Sequence, residues 1–225
     1  MKKHIPNFIT LLNLFCGFCA IVEAARRPSH TYAASAFIGF ALLFDFCDGL
    51  VARLLHVKSE LGKQLDSLSD LVSFGVAPAF ILFKAVIANN GLEFGEAFLF
   101  LLGWAVFPCC GAVRLGKFNL DDRQTENFRG LPIPLAALTL VSFSFFDLPA
   151  AVTGGLLLAL CVLMLVGIPL FSLKFKNMHW DENWYRYLII IFSIILFVPL
   201  GMRSVPFITL IYFIISIFVR KKITA

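Results

Sequence analysis

Long apolar runs separated by short polar connections dominate the chain, and their lengths predict membrane-spanning helices. A span needs about 20 apolar residues, and about eight such stretches occur, near 8–25, 32–55, 64–89, 95–113, 132–147, 149–173, 184–200 and 204–219. The fifth is short and the sixth long, so their turn around Asp147 and Pro149 is where the pattern is weakest; seven spans would reverse the C-terminus. The longest polar connections, roughly 114–131 and 174–186, are too short for a second domain. Residues 1–225 are therefore expected to form a single all-α, polytopic membrane domain.

Composition agrees: 60% of the 225 residues are hydrophobic, 15% are charged and Phe alone supplies 26, a balance foreign to soluble domains. The net charge of +5 reads mainly as a topology signal. With eight spans, Lys2, Lys3, Arg53, Lys58, Lys63, Arg114, Lys117, Arg123, Arg129, Lys174, Lys176, Arg186, Arg220, Lys221 and Lys222 share one side. Only Arg26, Arg27 and Arg203 take the other, and Lys84 falls within a span. Basic residues stay cytoplasmic, which predicts an inner-membrane protein with both termini inside and argues against nucleic-acid binding. Lys2 and Lys3 before an apolar run ending near Glu23-Ala24-Ala25 imitate a secretory signal. An uncleaved first helix is expected, since cleavage would leave an odd number of spans and discard Asn7, Thr10 and Asn13. These three recur on roughly one helix face, suited either to interhelical hydrogen bonds or to ligand contact.

Against this apolar background stand Asp45, Asp48, Asp66 and Asp70, spaced Asp45-x2-Asp48-Gly49-x2-Ala52-Arg53-x8-Gly62-x3-Asp66-x3-Asp70. A carboxylate at the centre of a membrane helix costs about 2.5–3.5 kcal/mol, so four cost on the order of 10 kcal/mol unless a cation compensates. Separations of three and four residues project each pair from one face of its helix. A hairpin of the second and third spans brings the pairs to similar depth. Oxygen ligands without Cys or His select Mg²⁺, Mn²⁺ or Ca²⁺. Gly49, Ala52 and Gly62 leave room for a ligand or for close helix contact, and Arg53 offers a fork of donors to phosphate oxygens. The combination points to phosphoryl transfer.

This eight-position pattern resembles the complete motif of the CDP-alcohol phosphatidyltransferases. The resemblance implies a polytopic helical homodimer with a cytoplasmic site for two divalent ions, Mg²⁺ or Mn²⁺. It makes Asp45, Asp48 and Asp66 metal ligands, and Asp70 a ligand that also serves as general base. It places Gly49, Ala52, Arg53 and Gly62 around the CDP moiety of CDP-diacylglycerol, and the polar face of the first helix offers Asn7 and Thr10 as further candidate contacts. The run 66–79, Ile5-Pro6-Asn7 with 11–17, and Gly130-Leu131-Pro132-Ile133-Pro134 are similar to the phosphatidylserine synthase branch, which implies L-serine as acceptor and phosphatidylserine and CMP as products. Lys117 stands where that branch usually has arginine, replacing a planar fork by a point charge. Arg114, Lys117 and Arg129 are the cations available to the serine carboxylate, and they serve equally well as positive-inside residues. Glycerol 3-phosphate, inositol phosphate or choline are the alternative acceptors. A cation transporter also suits buried acids, although Arg53 beside them argues against it.

Other conspicuous residues read as structure. Cys16, Cys19, Cys47, Cys109, Cys110 and Cys161 lie in apolar spans, and the four histidines form no ligand spacing. Lys84 reads as a snorkelling or lumen-facing lysine. Trp180, Trp184, Tyr185 and Tyr187 form a candidate interfacial belt, while His179, Asp181 and Glu182 read as a solvated loop.

Overall fold

A computed structural model describes residues 4–26, 31–57, 59–91, 102–120, 128–172 and 179–219. The described helices are α1 (His4–Arg26), α2 (Thr31–Leu54), α3 (Glu60–Asp70), α4 (Ala77–Asn90), α5 (Val106–Leu120), α6 (Ile133–Ser142), α7 (Ala150–Leu165), α8 (Trp180–Leu200) and α9 (Val205–Phe218). A π-helical turn, Leu71–Val76, fuses α3 and α4 into one rod. Two 3₁₀ turns, Phe143–Phe145 and Gly201–Ser204, extend α6 and separate α8 from α9.

Local chemistry sets the boundaries. The Ser59 hydroxyl caps α3 by accepting the Gly62 N–H at 2.9 Å. Pro132 and Pro149 precede α6 and α7, and Pro206 sits in the first turn of α9, where a missing N–H costs nothing. Gly91, at φ 61°, ends α4 in the left-handed conformation.

The rods alternate in direction. Asn89 at the end of α4 donates to Asp147 after α6 (3.3 Å), the Ala150 N–H opening α7 donates to Asn90, and Arg203 after α8 donates to the Phe145 carbonyl (2.9 Å). At the opposite end Lys63 of α3 meets Asn119 of α5, the Leu131 N–H before α6 meets Leu163 of α7, and Phe171 packs against both Tyr185 of α8 and Tyr212 of α9. The four aspartates belong to this second end.

Among the described residues, four helical runs are long and apolar enough to cross a membrane: His4–Arg26, Thr31–Leu54, Glu60–Asn90 and Asn183–Phe218; Ile133–Phe145 and Ala150–Leu165 are shorter apolar helices. The break expected around Asp147 and Pro149 is present, but α7 ends at Leu165, well before 173. Beyond it Pro169–Leu170 pairs antiparallel with Phe128–Arg129, a two-residue ladder within an otherwise helical set of described residues. The fourth apolar stretch also differs. Helix α5 runs on to Leu120, so Arg114 and Lys117 are helical and not part of a connection. No breaker interrupts it after Pro108, and Lys117 in its last turn complements the helix dipole.

Large apolar side chains along α8, including Ile191, Ile194, Ile195 and Val198, are exposed, as a lipid-facing surface requires. Trp180 stacks on Tyr187 with centroids 5.2 Å apart, whereas Tyr185 is buried edge-on against Phe171 and belongs to the core, not to an interfacial belt. All six cysteines are free thiols. His179 immediately precedes α8, so Asp181 and Glu182 fall in a helical first turn instead of a loop; their side chains lie outside the described residues.

Helix α1 crosses the π turn at its closest point. A Cβ on Gly17 would lie 2.4 Å from the Ser73 hydroxyl oxygen and 2.8 Å from the Ser73 Cα. Backbone must therefore shift to admit a side chain. Gly17→Val is expected to destabilise the protein by about 1–3 kcal/mol, the usual cost of overpacking, while Gly39→Ala, with nothing within 4 Å, stays near neutral. Thermal unfolding of the two variants in detergent checks this; equal melting temperatures would refute the close crossing.

Candidate functional site

The acidic groups come from two adjacent rods. Asp45 and Asp48 stand one turn apart near the end of α2, and Asp66 projects toward them from α3. One carboxylate oxygen from each lies within 4.8 Å of the others. This all-oxygen set has room and charge for a hard divalent ion and fits the metal read from the sequence. Asp48 is 6% exposed and accepts a 2.6 Å hydrogen bond from the Thr10 hydroxyl, which orients it from α1.

Asp70, one turn further along α3, is not in the cluster of three. Its Oδ1 accepts from Asn13 Nδ2 at 3.1 Å, while the Ser73 hydroxyl donates to the Asn13 backbone carbonyl at 2.9 Å. The π turn thus presents Ser73 to the same residue that holds Asp70, a local irregularity of the kind often found at functional sites. Asp70 remains within electrostatic reach of Asp45, Asp66 and Asp48.

A cavity of about 580 Å³ opens beside the cluster, lined by Asp45, Asp48 and Asp66 together with Asn7, Thr10, Gly49, Ala52 and Gly62. Those are five of the six contacts expected for the nucleotide lipid. Gly49 faces open space, so its bare face widens the cavity and does not serve a tight helix crossing. Gly62 does both, because a Cβ there would meet Asn7 Oδ1 at 3.0 Å. Arg53 is exposed on the last turn of α2 and is not among the lining residues.

A second cavity, about 510 Å³, is lined by Arg114, Lys117 and Arg129 with Met164, Leu165 and Gly167. Arg114 is the buried member, 6% exposed. Its Nε donates to the Leu131 carbonyl at 2.7 Å, and its guanidinium lies over the Phe118 ring and within electrostatic reach of Asp70. Asp70 lines neither cavity, but it lies within electrostatic reach of Asp45 and Asp66 on one side of the site and of Arg114 on the other.

Several participants escaped the motif. Ser59 and Lys63 line the acidic cavity, and Lys63 ties α3 to α5 through the Asn119 carbonyl at 2.8 Å. Asn119 in turn donates to the Ser67 hydroxyl at 2.7 Å. Ser59 was recoverable as an N-cap, a serine just before the acidic first turn of a helix. The Lys63–Asn119 tie leaves no local trace, since it joins residues 56 positions apart.

Three carboxylates grouped on one cavity at one end of an apolar helical scaffold are the arrangement of a membrane enzyme with the donor set for a hard divalent ion. The chain belongs to the CDP-alcohol phosphatidyltransferase family, whose profile matches residues 3–172. Among curated proteins it is similar to the CDP-diacylglycerol–serine O-phosphatidyltransferase of Bacillus subtilis, 35% identical over 153 residues that cover 68% of this chain and 82% of that protein. The enzyme of the same name from Helicobacter pylori strain J99 is 33% identical over 232 residues, covering 97% and 93% of the two chains. That from Saccharomyces cerevisiae is 36% identical over 156 residues, 63% of this chain and 54% of the yeast protein, so the chain spans about half of that relative.

Proposed function

We propose that the protein transfers the phosphatidyl group of CDP-diacylglycerol to L-serine, giving phosphatidylserine and CMP. The observation that supports this reading is the grouping of Asp45, Asp48 and Asp66 on one cavity, with Asp70 held by Asn13 within electrostatic reach of those acids and of Arg114, which lines the second cavity. CDP-diacylglycerol enters from the side with its acyl chains in lipid, and its cytidine and pyrophosphate occupy the acidic cavity against Asn7, Thr10, Gly49, Ala52 and Gly62. Asp45, Asp48 and Asp66, with Asp70 at their edge, hold one or two Mg²⁺ or Mn²⁺ ions. When bound, the metal supplies charge neutralisation for the diphosphate and its leaving group.

The protein's own groups do the rest. Thr10 fixes Asp48, Asn13 fixes Asp70, and Asp70 takes the proton of the serine hydroxyl as that oxygen attacks the phosphorus bonded to diacylglycerol. The bond to the CMP oxygen breaks. A serine hydroxyl is a poor nucleophile at neutral pH without such a base. Arg114 receives the serine carboxylate, with Lys117 and Arg129 at the cavity rim. Residues 1–225 act as one membrane domain whose eight alternating rods each cross the bilayer, with both termini and the site at the cytoplasmic face of the inner membrane, as a homodimer.

Three cations in one cavity also suit a phosphorylated acceptor, so glycerol 3-phosphate is the second reading. Purified protein given CDP-diacylglycerol and Mn²⁺ is expected to release CMP with serine and not with glycerol 3-phosphate, inositol phosphate or choline. Turnover with one of these and none with serine would replace the acceptor, and CMP release that needs no acceptor would overturn the transferase reading.

A further inference from the structure

Three buried side-chain atoms among the described residues lack a hydrogen-bond partner: Asn13 Oδ1, Ser69 Oγ and Arg114 Nη2. Buried polar atoms are rarely left so, because an unmade bond costs the desolvation of the group outright. Ser69 precedes Asp70 on α3; the other two atoms come from different rods, α1 and α5. Asn13, fully buried, donates to Asp70, and Arg114, 6% exposed, lies within electrostatic reach of it. One orphan is a neutral acceptor and the other a cationic donor.

We propose that Asn13 is the specificity residue for the acceptor's ammonium group: its side-chain carbonyl receives the ammonium while Arg114 Nη2 receives the carboxylate, leaving the hydroxyl at Asp70. This rests on the serine reading. A small zwitterionic alcohol carries ammonium and carboxylate on one carbon and its hydroxyl on the next, so its site requires an acceptor and a cation grouped around a base. Asn13 cannot easily turn away. The Ser73 hydroxyl holds its backbone carbonyl at 2.9 Å, and the close approach of Gly17 to Ser73 locks α1 against the π turn. Its amide places Nδ2 on the Asp70 carboxylate and leaves Oδ1 without a partner. Arg114 is likewise clamped by the Leu131 carbonyl and the Phe118 ring, which leaves Nη2 for a ligand. The cluster of Asp45, Asp48 and Asp66 has no part in this discrimination.

The test compares kcat/KM for L-serine and for 3-hydroxypropionate, which is serine without its ammonium, in the wild type, Asn13→Ala and Asn13→Asp, read as CMP release. Wild type is expected to prefer serine by about 10- to 100-fold, the range of a hydrogen bond to a charged group. In Asn13→Ala that preference collapses toward one, because the ammonium contact is lost from serine alone. In the nearly isosteric Asn13→Asp it persists, since an oxygen still faces the ammonium, while both acceptors slow for want of the donor to Asp70. Where 3-hydroxypropionate turns over too slowly, competitive inhibition by L-alanine and by propionate supplies the same ratio. Equal losses for both acceptors in Asn13→Ala would reduce Asn13 to positioning Asp70 and overturn the proposal. So would a collapsed ratio in Asn13→Asp, which decides alone if the alanine variant fails to fold. Failure of the serine reading appears separately, as wild type without serine-dependent release.

Discussion

Asp66→Asn is expected to abolish CMP release, with a fall on the order of 10³-fold or more, and to raise the thermal stability of the metal-free protein. The two effects have one cause. Three carboxylates with oxygens within 4.8 Å repel one another by roughly 3 kcal/mol per pair at an effective dielectric near 20. An amide at 66 removes two of the three repulsions, so the apo fold gains. The same change takes away a ligand and a negative charge from a site that supplies several kcal/mol of transition-state stabilisation, and each ~1.4 kcal/mol is tenfold in rate. Asp66 is the informative choice because Asp48 also holds Thr10, and its loss would disturb α1 as well. Melting curves without metal, Mn²⁺ titration and CMP release on the same samples check the prediction. Wild type stripped by chelator should lose activity and recover it with Mg²⁺ or Mn²⁺. An Asp66→Asn variant that keeps wild-type turnover, or an apo form less stable than wild type, would show that the cluster is not a cation site.

The spacing of the aspartates was enough to bring Asp45, Asp48 and Asp66 together, because separations of three and four residues are local properties of a helix and a short connection turns α2 back along α3. The same holds for Gly49, Ala52 and Gly62, which share the helix faces of those acids. What the pattern could not reveal depends on long-range approach. Asn13 meets Asp70 57 positions away only because Gly17 lets α1 settle on the π turn at Ser73. That turn has no signature in a run that reads simply as apolar. Arg53 stands apart from those contacts: it is exposed on the last turn of α2 and does not line the acidic cavity. Helix ends were blurred for a related reason. Hydropathy stops where polar residues begin, so α5 seemed to close near 113, whereas its backbone continues through Arg114 and Lys117 to Leu120. That continuation places Arg114 on a rigid helix beside Asp70, where a connection would have left it mobile.

Asp70→Asn is expected to lower serine-dependent CMP release by about 10²- to 10⁴-fold, the range of a lost general base, while Mn²⁺ binding persists. The geometry makes this substitution unusually clean. Asn at 70 retains an oxygen to accept from Asn13 Nδ2, so the contact that ties α1 to α3 survives and the protein should melt near the wild-type temperature. Asp45, Asp48 and Asp66 keep their oxygens grouped without it. What is gone is the capacity to take a proton, together with one negative charge at the edge of the metal site. The contrast with Asp66→Asn is therefore in the ligand readouts: both variants lose turnover, but Asp66→Asn loses metal with it, whereas Asp70→Asn still binds metal and CDP-diacylglycerol. If Asp70→Asn lost Mn²⁺ as completely as Asp66→Asn, its main role would be ligation, and the proton would have to leave by another group. If it kept turnover within tenfold of wild type, neither role would stand.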